Sequence, residues 1–241
     1  YLWLWENAPT FGDGNDPFRT GLLGSEIGAL TRIHEPSRKA FGEIRDALEN
    51  RLRAGEANMS DLCGWVSLSV ALDEEDEVIA WYERVRDDPE AHESIVQNEF
   101  VLRRLLTDRG RYADAGKVLE NPIGEVITSL GAARMSRIDL PNASKDQLER
   151  INAMQAGAAK QGVAETYALC LAAGRLTEAR RISELLLTNY DDADARIALV
   201  SRAVKYGAPM PEHRVLLDAA EKTGVDVAAL RERLERALDS R

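Results

Sequence analysis

Apolar residues recur at steps of three and four along most of the chain, the spacing that lays one side of an α-helix against a core. Pro36 suits a first helical turn and opens a segment running to about Ala54, where Gly55 stops it. Phe41, Ile44, Leu48 and Leu52 share one face of that segment. A second run carries Leu62, Trp65, Val66, Leu68, Val70 and Leu72. The acidic turn Asp73 to Asp76 then leads into Val78, Ile79, Trp81, Tyr82 and Val85. Asp88-Pro89-Glu90 reads as a cap followed by a first-turn proline. Ile95 to Leu106 predicts one amphipathic helix ending at Gly110, and Tyr112 to Leu119 a shorter one. Asn121-Pro122 starts another, through Ile127 and Leu130 to Met135. Ser144-Lys145-Asp146-Gln147 fits a capping box at the head of a helix carrying Leu148, Ile151 and Met154. Val163 to Ala173 predicts a separate helix ending at Gly174, followed by Leu176 to Leu187 and by Ala195 to Val204, which ends at Gly207. Leu216 and Leu217 mark the next helix, and Leu230, Leu234 and Leu238 the last. No strand-like alternation competes with these patterns.

The first residues read differently. Pro9, Gly12, Gly14, Pro17, Gly21 and Gly24 favour turns, so residues 1–35 are expected to be an irregular, aromatic N-terminal segment ahead of a helical domain over 36–241. The cluster Asp13-Gly14-Asn15-Asp16 lacks the alternating ligands and terminal Glu of a calcium loop and reads as a turn.

The breaks between paired helices fall at Asp76, Gly110, Gly174 and Gly207, in steps of 34, 64 and 33 residues. The middle step leaves room for one more unit with its break near Asn142, giving about five helix pairs of some 33 residues. Trp65, Leu68 and Leu72 with Trp81 and Val85 form one unit of this pattern. Leu102, Leu106, Gly110, Tyr112, Ala115 and Leu119 form the next and fit it best. Cys170, Gly174, Leu176 and Ala179 belong to a later unit, and Leu199, Ala203, Gly207 and Leu216 to the last. Over residues 60–223 this period and these residues resemble the tetratricopeptide-repeat family. Trp81, Glu99, Ser183 and Glu212 depart from its preferences. The resemblance implies an all-α fold, an α-α superhelix: a solenoid of about five helical hairpins with flanking helices. It further implies a concave groove lined by first helices, which takes a segment of a partner protein. Carried onto this chain, Gln97, Arg104, Asp108, Ser201 and Lys205 would face that groove.

Composition narrows the remaining choices. With 44% hydrophobic and 30% charged residues, the chain can bury a core. A formal net charge of −10 argues against nucleic-acid binding and against a basic membrane-surface protein. Cys63 and Cys170 stand in apolar helical runs and read as buried thiols, forming neither a disulfide framework nor a zinc site. His34, His92 and His213 lie far apart, outside any metal-ligand spacing, and each is expected to be a lone exposed histidine. Phosphate-cradling glycine loops and the G-x-S-x-G nucleophile turn are missing from the sequence, so no cofactor is signalled. The run Asp73 to Glu77 suits a solvated helix start. Trp65, Trp81 and Tyr82 are placed better as core than as a ligand cage. Arg103 and Arg104 with Arg109 and Arg111 form the densest basic patch, either a clamp for an acidic peptide end or a solvated face.

These features point to a non-catalytic, cytoplasmic interaction scaffold for a protein or peptide partner. The run Tyr1-Leu2-Trp3-Leu4-Trp5 supplies the alternative. Trp and Tyr concentrate at membrane interfaces. The run is therefore either the outer end of a membrane tether upstream of Tyr1 or a strap packed on the first helices. In the first case the chain is a membrane-anchored or self-associating structural component. No stretch of about 18 apolar residues is present in the chain itself.

Overall fold

The structure is a computed structural model that describes residues 1–7, 18–135 and 144–240. It is all-α: 80% of the described residues are helical, and no strand occurs among them. The helices are α1 (Leu2–Asn7), α2 (Gly24–Thr31), α3 (Glu35–Ala54), α4 (Met59–Ala71), α5 (Glu75–Val85), α6 (His92–Gln97), α7 (Glu99–Asp108), α8 (Tyr112–Lys117), α9 (Pro122–Met135), α10 (Lys145–Ala172), α11 (Leu176–Asn189), α12 (Ala193–Lys205), α13 (His213–Glu221) and α14 (Ala228–Asp239). A π-helical turn, Phe18–Leu23, leads into α2. The chain divides into two compact units, Tyr1–Arg109 and Gly110–Arg241.

The first unit is built around α4, which packs against α2, α3, α5, α6 and the π-helical turn. Every residue from Leu62 to Ser69 on this helix is buried, as expected of a helix with apolar residues around its whole circumference. Small residues set the spacing: a side chain on Gly28 of α2 would already be in van der Waals contact with Ala71. Thr31 locks the same contact by donating its hydroxyl to the Ala71 carbonyl at 2.9 Å.

The second unit is built around α10, which packs against α8, α9, α11 and α12. Its buried residues all lie from Ala159 onward, and its first half buries none. α12, α13 and α14 close the unit around Val200, Leu217, Ala220, Val227 and Leu234.

Within each unit the substantial contacts join helices adjacent in the chain or next but one: α2 with α4, α5 with α7, α8 with α10, α10 with α12, α12 with α14. The turns expected at Gly110, Gly174 and Gly207 carry φ values of +71°, +76° and +66°, the left-handed conformation that ends a helix without a Cβ penalty.

Four expectations need correction. Residues 1–35 are not irregular throughout, since α1, the π-helical turn and α2 lie within them. The division of the chain falls at 109/110, inside the best-fitting repeat unit, rather than at 35/36. The single helix expected over Ile95 to Leu106 is two, broken at Asn98, whose buried amide donates to the Ser94 carbonyl at 2.9 Å. Such side-chain-to-backbone bonding competes with the helical ladder. Conversely, two helices expected between Ser144 and Gly174 are one 28-residue helix, α10. Gly157 and Gly162 do not break it, and alanines at 153, 156, 158, 159, 164 and 168 favour its continuity. The extra repeat break near Asn142 and the Asp13–Asp16 cluster lie outside the described residues.

Candidate interaction surfaces

Gln97, Arg104 and Asp108 are exposed on α6 and α7 of the first unit, while Ser201, half-buried, and Lys205, exposed, lie one turn apart on α12 of the second. The two groups therefore belong to different bodies. Lys205 Nζ stands 5.6 Å from the centre of the Tyr206 ring, which stacks on Tyr112 with ring centres 4.1 Å apart.

The basic patch has acidic company. Arg104 approaches Glu75 at 3.6 Å. Arg109 reaches Glu75 at 3.7 Å and Asp76 at 2.6 Å. Arg103 faces Glu99 at 3.8 Å, and in the second unit Arg111 holds Asp114 at 2.7 Å. The acidic start of α5 thus meets Arg104 of α7 and Arg109 at its C-cap within the same unit. Such solvated pairs contribute about 0–1 kcal/mol each. An incoming carboxylate would have to displace Glu75 and Asp76 to use them.

The groups with chemical potential lie inside. His213, expected to be exposed, is 1% exposed. Its Nδ1 accepts the Met210 amide at 3.0 Å, which leaves the ring proton on Nε2, 2.8 Å from the Tyr167 hydroxyl. Burial drives the His213 pKa down to about 4, against a small opposing pull from Glu212. Burial also raises the Tyr167 pKa, so the pair is neutral near pH 7 and joins α13 to α10. Both cysteines are free and buried. Burial pushes the Cys170 thiol up to about 12 and also raises that of Cys63, which keeps both protonated and poorly nucleophilic at neutral pH. Lys160 is buried too. Its Nζ lies 2.6 Å from Asp192, the N-cap of α12, and 5.4 Å from the centre of the Tyr190 ring. Desolvation would raise the Asp192 pKa, but the bonds from Lys160 and the Ala195 amide hold it below the usual carboxylate range. Among the described residues no group of His, Cys, Asp and Glu is arranged to hold a metal ion.

Trp65 and Trp81 meet edge to face at 6.4 Å, with Trp65 and Tyr82 buried. The open aromatic surface lies on α1 instead. Trp5 is buried, edge-on to Phe41 at 6.4 Å and under the Arg19 guanidinium at 4.8 Å. Tyr1, Leu2 and Trp3 are largely exposed, Trp3 at 63%. α1 thus lies as a strap pinned by one tryptophan, with a cleft on either side. One, of about 480 Å3, runs past Trp3, Leu30, Pro36 and Phe41. The other, of about 800 Å3, runs along α3 past Trp5, Ile44 and Leu48. Volumes of roughly 300–1,000 Å3 are typical of binding clefts. The sequence marked the aromatics of this region and the apolar face of α3 that carries Ile44 and Leu48, but not that this face is left open. Among the described residues no helix is long and apolar enough to cross a membrane.

Comparison with protein-family models, with curated proteins and with solved structures finds no match for this chain.

Proposed function

We propose that the chain is a non-catalytic scaffold of stacked helical hairpins, similar in design to tetratricopeptide-repeat proteins, that holds a segment of a partner protein. The observation carrying this reading is the contrast between interior and surface. The histidine, thiols and lysine with shifted or buried environments are locked in the core, whereas α1 and α3 leave apolar side chains and two clefts open. The contact pattern within each unit supports the hairpin stack, because repeat proteins bury each apolar face against chain neighbours alone. Gln97, Arg104 and Asp108 in the first unit, and Ser201 and Lys205 in the second, remain the residues that the family resemblance offers to a partner.

A photo-cross-linking residue placed singly at positions 3, 104 and 201 tests this reading. One polypeptide should recur as an adduct at one or more of them and be competed by excess unlabelled chain. Scattered or absent adducts at all three would contradict it. If the α7 face contributes, Arg104→Glu should weaken capture of that polypeptide severalfold with the melting temperature unchanged, since Arg104 is exposed and weakly paired.

The exposure of Tyr1, Leu2 and Trp3 favours a second reading, a self-associating or membrane-tethered structural component. Replacing Leu2 and Trp3 with Ser leaves Trp5 in place and should convert any such assembly to monomer in light scattering. A mass unchanged by the replacement removes the self-associating version.

A further inference from the structure

The larger cleft is lined by Ala40, Glu43, Ile44, Ala47, Leu48 and Arg51 of α3. These positions follow the spacing i, i+3, i+4, i+7, i+8 and i+11, a single stripe along one helix. Eleven residues of α-helix rise about 16 Å, or three turns. Apolar stripes of this kind are normally covered by another helix. Here Leu48 is buried at the floor, Ile44 and Ala40 are half-buried, and Ala47 is exposed. α1 has six residues and buries only Trp5, so it closes one flank of the cleft and leaves the stripe open. The two alanines allow a second backbone to approach closely.

Charge selects among occupants. The cations on the lining are already engaged: Arg51 holds Asp61 at 2.6 Å, and Arg19 contacts the Trp5 ring and the Ser60 carbonyl. Glu6 and Glu43 line the same cleft, are exposed, and make no ion pair or side-chain hydrogen bond among the described residues. The imbalance extends to the whole unit. Residues 1–109 contain 22 Asp and Glu against 12 Lys and Arg, whereas residues 110–241 contain 19 of each. The entire net charge of −10 thus resides in the unit that carries the cleft. An anionic lipid surface would be repelled, and a second copy of this unit would bring the same negative charge.

We propose that the open stripe of α3 seats an amphipathic α-helix of a partner protein, apolar on the face it presents and basic at its margins, with its Lys or Arg side chains reaching Glu6 and Glu43. This is helix-in-groove recognition. It rests on the scaffold reading and adds to it the place and chemistry of one partner.

The test uses the full chain and two synthetic helical peptides sharing one Leu and Ile face, one flanked by Lys and the other by Glu. Binding is read from tryptophan fluorescence and confirmed by titration calorimetry. The Lys peptide should bind at least tenfold more tightly at low salt, and added salt should erode the difference. Ala47→Glu, at an exposed position, should abolish binding while helicity and melting temperature stay unchanged. Ala40→Gln, one stripe position earlier, should weaken binding independently. Glu6→Gln with Glu43→Gln should cost severalfold and flatten the salt dependence. Equal binding of both peptides, no binding of either, or binding indifferent to Ala47→Glu overturns the proposal. So does binding of phosphatidylcholine and phosphatidylglycerol vesicles in the peptide's place, or a dimer that Ala47→Glu dissolves. Failure here leaves the cross-linking result at positions 104 and 201 standing, so the two readings fall separately.

Discussion

His213 illustrates how far a single residue's environment can depart from its sequence context. Nothing in the flanking Glu212 and Arg214 marks it as interior, yet its ring is enclosed and its two nitrogens serve Met210 and Tyr167. The partner that explains it, Tyr167, lies 46 residues away. Its folded pKa of about 4 lies below the unfolded value near 6.5. The unfolded chain therefore takes up a proton first as pH falls, so stability is full above about pH 6.5 and declines as pH drops towards 4. The loss attributable to this residue is about 3 kcal/mol across that window. Urea unfolding of the wild type should show this decline, and a His213→Asn variant should lack that part of it. Parallel curves for the two proteins would contradict the assignment. Tyr167→Phe should cost about 1–3 kcal/mol at neutral pH by orphaning the Nε2 proton.

At the scale of elements, glycine misleads in both directions. Gly24 was among the residues that made the N-terminal segment look irregular, although it and Gly28 permit α2 to lie close on α4, where a Cβ on Gly24 would reach within 2.5 Å of Ser67 Oγ. The gap expected between Met154 and Val163, which holds Gly157 and Gly162, lies inside what is one helix, α10. Caps were legible because their signal is local: the boxes at Asn58 with Asp61 and Ser144 with Gln147 both form, the second of them anticipated. The break at Asn98 was not, because it depends on that amide being buried. Gly116 distinguishes packing glycines from helical ones. A Cβ there would fall 2.1 Å from the Leu169 carbonyl oxygen of α10, so Gly116→Ala should destabilise the second unit by about 2 kcal/mol. Nothing lies near a Cβ at Gly157 or Gly162. Alanine at either should therefore raise stability by about 1 kcal/mol in thermal or urea unfolding. Destabilisation at Gly162 would mean that α10 is not continuous.

For the whole molecule, periodicity conveyed the helical class and most helix positions, because burying one face imposes the 3.6-residue repeat on the sequence itself. The division at 109/110 was hidden, since Gly110 has the same left-handed turn as Gly174 and Gly207, which lie inside the second unit. The open stripe on α3 was equally hidden: its spacing was visible as an apolar face, but a face that meets solvent has the same pattern as one that meets a core. Charge partition between the units became meaningful only once their boundary was known.

On the proposed reading, the chain holds a partner on its surface without altering it. Hydrogen–deuterium exchange across the full chain, with and without the polypeptide recovered by cross-linking, together with the intact mass of that polypeptide, tests this most directly. Protection should be confined to surface helices, chiefly α3 or α7 in the first unit or α12 in the second, and the partner should be released at its original mass. A partner that leaves cleaved or covalently modified, or that protects no helix at all, would contradict that reading.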